Sequence, residues 1–303
     1  MTKHYVITLI GPSGQGKLTA ETVEYVADIA NKAGWQTGKA DWLGEGEACD
    51  LPLEVGTAIE PDAAWARREA SQLDGVDVVV QLADSHRKKH LLLCDMDSTM
   101  IEQECIDELA DFVGVKDKVA AITERAMRGE LDFERALEER VRLLKGLSVD
   151  KLEEAYQTKI SFTPGGKNLV QTMRAGGARC VLVSGGFTFF TAKVRDELGF
   201  HQDKANLLDV ANDKLTGKVA YPILGKEAKL QTLKEAMFKL DIPKEDTLAV
   251  GDGANDLPML QAAGMGVAFH AKPVVREQAH ACLNHADLRG VLYMQGYRQS
   301  EFA

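Results

Sequence analysis

The stretch LLLCDMDST, residues 91–99, carries two aspartates directly after a continuous apolar run. A run of this kind is typical of a strand that is buried on both faces of a parallel sheet. Asp95 and Asp97 would then lie at the carboxyl end of the strand, where open α/β sheets bind their ligands. Because an unpaired buried carboxylate is costly, the pair needs a cation or solvent. The alternative is that both residues begin a loop and cap the next helix, and this stretch alone leaves the two possibilities open.

A second acidic stretch, GDGAND at residues 251–256, follows another apolar run. Asp252 and Asp256 would reach the same edge of the sheet as the first pair, and carboxylates gathered there repel one another. A divalent cation with oxygen ligands removes this repulsion, and Mg²⁺ suits a few carboxylates together with phosphate and water oxygens. The two stretches together therefore predict a magnesium site.

A third strand end offers groups that could hold an anion. In VLVSGGF, residues 181–187, the Ser184 hydroxyl and the Gly185 amide precede a helical stretch, an arrangement that favours anion binding, although Ser-Gly-Gly is also a common turn. Lys229 lies in the helical stretch AKLQTLKEA. A lone lysine on a helix is usually solvated, so Lys229 gains weight only beside the other motifs, and Lys226 is its rival.

Strand-like and helical segments alternate around these motifs. The pattern is almost entirely helical from about 102 to 158. Further strands are predicted over 179–184, 247–250 and 266–269, with a β-like excursion over 205–224 that turns at Asn212-Asp213. This alternation predicts an α/β fold, a doubly wound and mainly parallel sheet with a helical insertion after its first strand.

The N-terminal residues are expected to form a small α+β domain. Strands are predicted over 5–10 and 76–82, helices over 18–33 and about 58–73, and a turn-rich connection over WLGEGEACD, residues 42–50. The basic cluster HRKKH, residues 86–90, is interpreted as a solvated segment and as the domain boundary. We therefore expect domains at 1–86 and 87–303, with the helical insertion at about 102–160.

Composition narrows the class of protein. The 303 residues are 45% hydrophobic and carry a formal charge of −10. This charge argues against a nucleic-acid partner, because a nucleic-acid binder shows a basic surface. No apolar run approaches the ~18 residues of a membrane span. The five cysteines are scattered without a CxxC pair, and no signal-peptide pattern precedes the first strand, so we expect a cytoplasmic protein.

The motifs occur in the order DMDST, SGG, lysine, GDGAND, and in this order they resemble the haloacid dehalogenase superfamily over about residues 90–290. Phosphatases of that superfamily use an aspartate nucleophile. Within the superfamily, DMDSTMIEQECIDELA and FERALEERVRLLKGL resemble the phosphoserine phosphatase family. That family's substrate glutamate falls on Glu104 and its substrate arginine on Arg140.

The resemblance implies a role for each acidic residue. Asp95 would attack phosphorus and form an aspartyl-phosphate. Asp97 would protonate the leaving oxygen and then activate the hydrolytic water. Mg²⁺ would be held by the Asp95 side chain, the Asp97 backbone carbonyl and Asp252, with Asp256 supporting nearby.

The resemblance also implies the substrate, O-phospho-L-serine. Glu104 and Arg140 would bind its ammonium and carboxylate, although both could be exposed helix residues, since 124–142 is full of Glu and Arg. The phosphoryl oxygens would be held by Ser184, Gly185 and Lys229, and Asn255 would order its loop. The expected reaction is hydrolysis to L-serine and phosphate, the last step of serine biosynthesis, under a helical cap that closes over the site. The alternatives are a related phosphatase or phosphotransferase acting on another small phosphomonoester, a P-loop kinase, or a serine sensor without catalysis.

The N-terminal loop raises a separate question. Gly11 to Lys17 matches the P-loop spacing GxxxxGK, but Leu18 stands where that loop needs Ser or Thr. The region is more similar to small βαββαβ regulatory modules of the ACT type, which bind amino acids. Their Gly-x-Asp-x-x-Gly turn has Ser13 in place of Asp here. Amino-acid binding and dimerisation both remain open for this domain, and we expect a homodimer.

Overall fold

The computed structural model describes residues 2–56, 60–84, 86–127 and 130–303. Met1 and Ser85, inside the predicted domain 1–86, lie outside these ranges, as do residues 57–59 near the start of the predicted helix over 58–73. The described residues form an antiparallel sheet, a parallel sheet and a two-stranded hairpin. Within the described ranges, no helix is both long and apolar enough to cross a membrane.

The antiparallel sheet comes from the N-terminal part of the chain. Its elements are β1 (Lys3–Ile10), α1 (Ala20–Lys32), β2 (Gln36–Thr37), β3 (Asp41–Gly44), β4 (Ala48–Val55), α2 (Ala63–Ala70) and β5 (Asp77–Leu82). The strands lie in the order β2-β4-β1-β5, and β3 also pairs with β4. Side chains alternate along each strand, so Ile7 and Leu9 face a core with the helices. Ile10 and Val79 face the other way, into the larger core of the molecule.

The predicted turn-rich connection over 42–50 is wrong, because β3 and β4 run through it and only a short turn separates them. Gly46 adopts a positive φ of 67° in that turn. Two acidic residues of this stretch are buried: Glu47 bonds to Tyr293, and Asp50 bonds to Arg87. Their partners lie far away in sequence, so the local pattern does not reveal this burial.

The rest of the chain contains eight strands and ten helices. The strands are β6 (Leu91–Cys94), β7 (Arg179–Phe187), β8 (Gln202–Asn206), β9 (Leu208–Ala211), β10 (Lys214–Val219), β11 (Thr247–Gly251), β12 (Met265–Phe269) and β13 (Ala281–Leu283). The helices are α3 (Cys105–Phe112), α4 (Lys116–Met127), α5 (Phe133–Leu143), α6 (Val149–Lys159), α7 (Gly166–Ala175), α8 (Thr188–Leu198), α9 (Lys226–Leu240), α10 (Leu257–Ala262), α11 (Pro273–Gln278) and α12 (Gly290–Met294). The counts refer to described residues only.

The parallel sheet has the order β13-β12-β11-β6-β7-β8. Each neighbouring pair is parallel, and apolar side chains cover both faces: Leu92 and Cys94 enter one core, Leu91 and Leu93 another. The predicted α/β fold with a mainly parallel sheet is therefore confirmed. Because β6 lies between β11 and β7, the three strand ends that carry the motifs are neighbours.

Four helices, α3 to α6, lie between β6 and α7, as the sequence predicted for a helical insertion after the first strand of the sheet. The hairpin of β9 and β10 attaches to this insertion: the Leu215 amide donates to Leu147 O, and the Gly146 amide donates to Leu215 O, both at 2.8 Å. Asn212 and Asp213 both have positive φ in the hairpin turn, which a two-residue turn of this kind requires.

Buried polar contacts join the two sheets. The Asp77 carboxylate accepts hydrogen bonds from the amides of residues 284, 285 and 286. Arg87 pairs with Asp50 at 2.7 Å and donates to Met294 O at 3.0 Å. The interpretation of residues 86–90 as a solvated segment is therefore wrong for Arg87, and also for Lys89, which is buried and donates to a backbone carbonyl.

Candidate active site

Three carboxylates meet at the carboxyl edge of the parallel sheet. Asp95 follows β6, and Asp252 and Asp256 follow β11. Each offers an oxygen that lies within 4.8 Å of the other two. The parallel pairing of β6 with β11, in which Cys94 aligns with Val250, brings the two loops together.

Burial makes this cluster electrostatically demanding. It raises the pKa of Asp95 well above its ordinary value, and the charge of Asp256 adds to the effect. Burial and the charge of Asp256 also raise the pKa of Asp252 to about 6. Three crowded carboxylates in a dry site are a donor set that fits a hard divalent cation, which would favour their ionised forms.

Lys229 already supplies one positive charge to the cluster. Its Nζ lies 2.7 Å from an oxygen of Asp95 and 2.7 Å from an oxygen of Asp256. Burial lowers the pKa of Lys229, but the two carboxylates outweigh burial, so the net shift is upward. The rival Lys226 lies outside the cluster, with a side chain 59% exposed and 3.8 Å from Glu227. Of the two rival lysines, the structure therefore brings Lys229 and not Lys226 to the carboxylates.

Asp97 is held in one orientation from both sides. Its Oδ1 accepts a hydrogen bond from the Cys105 amide at 2.9 Å, and its Oδ2 accepts one from the Ser184 hydroxyl at 2.9 Å. The Ser184 oxygen in turn accepts from the Gly186 amide at 2.8 Å. A Cβ on Gly186 would lie 2.7 Å from Asp97 Oδ2, so the glycine allows the loop to approach the carboxylate.

A cavity of about 340 Å³ opens between these strand ends and the helical insertion. Glu104 and Arg140 line it. Glu104 accepts a hydrogen bond from the Ser98 hydroxyl at 2.8 Å, and burial with the charge of Asp97 raises its pKa to about 7. Burial lowers the pKa of Arg140, whose Nε donates to Ala136 O. Arg140 is half-buried, whereas Glu104, although it lines the cavity, is still exposed to solvent.

Eight of the ten predicted site residues line the cavity: Asp95, Asp97, Glu104, Arg140, Ser184, Gly185, Asp252 and Asn255. Lys229 and Asp256 lie behind Asp95, bonded to each other and almost fully buried.

Sequence reasoning missed three residues of the site. Phe133, at the start of α5, lines the cavity, and its ring would lie 3.0 Å from a Cβ placed on Gly185. Asn206 donates to Gly185 O at 2.8 Å and steadies the loop after β7. Lys272 lines the cavity after β12. Phe133 opens the segment FERALEERVRLLKGL, from which only Arg140 was singled out, and Lys272 follows an apolar strand in the same way as the aspartates.

The P-loop-like segment does not form a phosphate site. The Gly11 amide donates to Glu47 O, and the Gly14 amide donates to the Glu47 carboxylate at 2.7 Å. Leu18 is buried in the core below. Since the chain's own carboxylate takes the amide of this loop, and since β1 belongs to an antiparallel sheet, the geometry speaks against a nucleotide there.

Comparison with known proteins identifies the family of the chain. A family profile of haloacid dehalogenase-like hydrolases matches residues 92–261, more than half of the chain. A phosphoserine phosphatase of Archaeoglobus fulgidus is 45% identical over 226 residues, which cover 74% of this chain but only 65% of that protein, less than two thirds. Those of Streptomyces coelicolor and Saccharomyces cerevisiae are 39% and 42% identical, covering 94% and 84% of this chain and 69% and 84% of their own.

Solved structures give the same result. A haloacid dehalogenase family hydrolase of Salmonella enterica serovar Typhi superposes with a TM-score of 0.83 at 27% identity, covering 96% of this chain and 98% of its own. A phospho-aspartyl intermediate analogue of phosphoserine phosphatase superposes with a TM-score of 0.64 at 42% identity, covering 68% of this chain and 98% of its own. The chain therefore belongs to the haloacid dehalogenase-like hydrolases and, within them, to the phosphoserine phosphatase family.

Proposed function

We propose that this protein hydrolyses O-phospho-L-serine to L-serine and inorganic phosphate, the last step of serine biosynthesis. One observation carries the proposal: a single cavity combines the buried aspartate cluster with one further carboxylate and one guanidinium. Glu104 would bind the substrate ammonium, and Arg140 would bind its carboxylate. These contacts leave the phosphate of the substrate to meet Asp95.

Asp95 is the proposed nucleophile. One of its oxygens forms a bond to phosphorus while the bond from phosphorus to the serine oxygen breaks, which yields an aspartyl-phosphate and L-serine. Asp97 gives a proton to the leaving oxygen and then takes one from the water that hydrolyses the aspartyl-phosphate. Its hydrogen bonds to Cys105 and Ser184 support these roles, because they aim the carboxyl group.

The proposed cofactor is Mg²⁺, held by the Asp95 side chain, the Asp97 backbone carbonyl and Asp252, with Asp256 beside them. When bound, it offsets the repulsion between an anionic nucleophile and an anionic phosphate.

The phosphoryl oxygens would be held by Ser184, the Gly185 amide and Lys229. Lys229 supports this role because its ammonium lies 2.7 Å from the nucleophile Asp95. Asn255 would order the loop that carries Asp252, next to the cavity.

The test is phosphate release from phosphoserine in the presence of Mg²⁺. We expect Asp95→Asn to lose nearly all turnover while it still folds, and Asp74→Asn, at an exposed position away from the cavity, to keep it. Full activity in Asp95→Asn would show that another group attacks phosphorus. Comparing turnover of phosphoserine, phosphothreonine and phosphohomoserine tests the substrate, because equal rates on all three would favour a general phosphomonoesterase.

For the N-terminal part we propose an ACT-like domain at 1–86 that joins two chains into a homodimer, next to a phosphatase domain at 87–303 with its cap at about 102–160. The order of its elements, βαββαβ with one middle strand split in two, supports this assignment. Sedimentation of the full chain tests the dimer, and a monomer at micromolar concentration would contradict it.

A cytoplasmic location is proposed because all five cysteines are free and buried.

A further inference from the structure

Lys272 is an exposed lysine on the wall of the catalytic cavity. It follows β12 and is the N-cap residue of α11. Its amide donates to the backbone carbonyl of Asp252 at 3.3 Å, so the residue is tied to the loop that follows β11. Among the described residues, its ammonium has neither a hydrogen bond nor an ion pair within 4 Å. Its charge acts on the Asp252 carboxylate without pairing with it, so the ammonium is still open to an anionic ligand.

The charges around the cavity make this lysine unusual. Among the described residues, four carboxylates line the cavity: Asp95, Asp97, Glu104 and Asp252. The cations in the described part of that lining are Arg140 and Lys272. Arg140 belongs to the helical insertion, whereas Lys272 belongs to the sheet edge that carries the nucleophile. Lys229 does not line the cavity, and its ammonium is already paired with Asp95 and Asp256, so it meets a phosphoryl group only once that group has reached Asp95.

A phosphomonoester dianion must enter this acidic cavity on a protein of formal charge −10. Repulsion by the carboxylates slows that approach, whereas a cation on the wall attracts the phosphate and raises its local concentration. We propose that the Lys272 ammonium captures the phosphoryl group of the incoming substrate and guides it to Asp95, while Arg140 takes the substrate carboxylate. This inference rests on the proposed phosphatase function and adds a phosphate-binding residue to it.

The variant Lys272→Met keeps most of the length of the side chain and removes its charge. We expect kcat/KM for phosphoserine to fall about tenfold at low ionic strength, and the loss to shrink to less than about twofold near 0.5 M salt, because salt screens exposed charges. We expect kcat to change little, since the ammonium acts on the capture of the substrate and not on the chemical step. Lys272→Arg restores the charge and should recover most of the loss. Lys239→Met, on the exposed end of α9, makes the same change in net charge and should have no effect.

A second substrate separates this inference from the proposed function. Para-nitrophenyl phosphate carries the phosphoryl group without an ammonium or a carboxylate, so Lys272→Met should lose the same factor on it, and inhibition by orthophosphate should weaken. If the wild type cleaves para-nitrophenyl phosphate but not phosphoserine, the proposed substrate is wrong, and the inference about Lys272 is still decided on the simpler ester. Wild-type kcat/KM at low salt in Lys272→Met would overturn the inference, as would a salt-independent loss confined to kcat.

Discussion

Replacing Lys229 by methionine tests how the site holds its carboxylates. The Lys229 ammonium lies between Asp95 and Asp256, 2.7 Å from each, and all three residues are at most 4% exposed. Methionine keeps most of the apolar stem and removes the charge. Any change in stability therefore reports the lost ion pairs more than lost packing.

The magnitude follows from burial. Removing one partner of a buried ion pair costs about 3–5 kcal/mol, because the other charge stays buried without compensation. Burial already raises the pKa of Asp95, and the loss of Lys229 raises it further. A carboxyl whose pKa is raised in the folded state binds a proton more tightly there than in the unfolded chain. The free energy of unfolding of the variant should therefore fall as pH rises above about 4, the pKa in the unfolded chain.

The assay is urea unfolding followed by circular dichroism, at neutral pH and at about pH 5, in EDTA and in excess Mg²⁺. We expect Lys229→Met to lose about 3–5 kcal/mol in EDTA at neutral pH, and less at pH 5 or with Mg²⁺, since a proton or a metal ion replaces the missing charge. Lys226→Met, at an exposed lysine three residues away, should change stability by less than about 0.5 kcal/mol. A loss below about 1 kcal/mol in Lys229→Met would refute the argument.

Three further predictions concern other parts of the molecule. Burial and Asp97 raise the pKa of Glu104 to about 7, so kcat/KM for phosphoserine should rise between about pH 6 and 8 as Glu104 ionises. Initial rates of Glu104→Gln should lack this rise, and a pH profile of the variant equal to that of the wild type would contradict the prediction. Asp77→Ala leaves the amides of residues 284–286 without their acceptor and should lower the free energy of unfolding in urea by about 3 kcal/mol. A loss below about 1 kcal/mol would speak against it. Gly266→Ala places a Cβ 2.1 Å from the backbone oxygen of Leu260; thermal unfolding should show a loss above about 3 kcal/mol, and a wild-type melting temperature would disprove the clash.

The sequence predicted the site residues best where they directly follow a strand. Apolar runs followed by Asp95, Ser184 and Asp252 predicted a parallel sheet with these residues at one edge, and the structure brings them to one cavity. Lys229 and Lys226 could not be separated by pattern, because both lie at the start of the same helical stretch. Their difference in burial comes from how α9 packs on the sheet.

The sequence pattern was insufficient where the role of a residue depends on contacts with residues distant in sequence. Residues 42–50 were predicted as a turn-rich connection, whereas β3 and β4 run through them, and Glu47 and Asp50 are buried by partners more than 30 residues away. Glu104 and Arg140 depended on family likeness, because a helical pattern does not tell which face closes over a cavity. Asn206 could not be found at all, since its role depends on its contact with the loop after β7.

The buried contacts between the two sheets limit which N-terminal segments could replace the present one through recombination. Arg87, Asp77 and Tyr293 each bond across the junction. A chimera that exchanged the first 86 residues for another module would leave a guanidinium, three amides and a phenol facing mismatched surfaces. The N-terminal sheet therefore cannot be exchanged by itself. A chimera must also carry the residues on both sides of the junction that bond to each other.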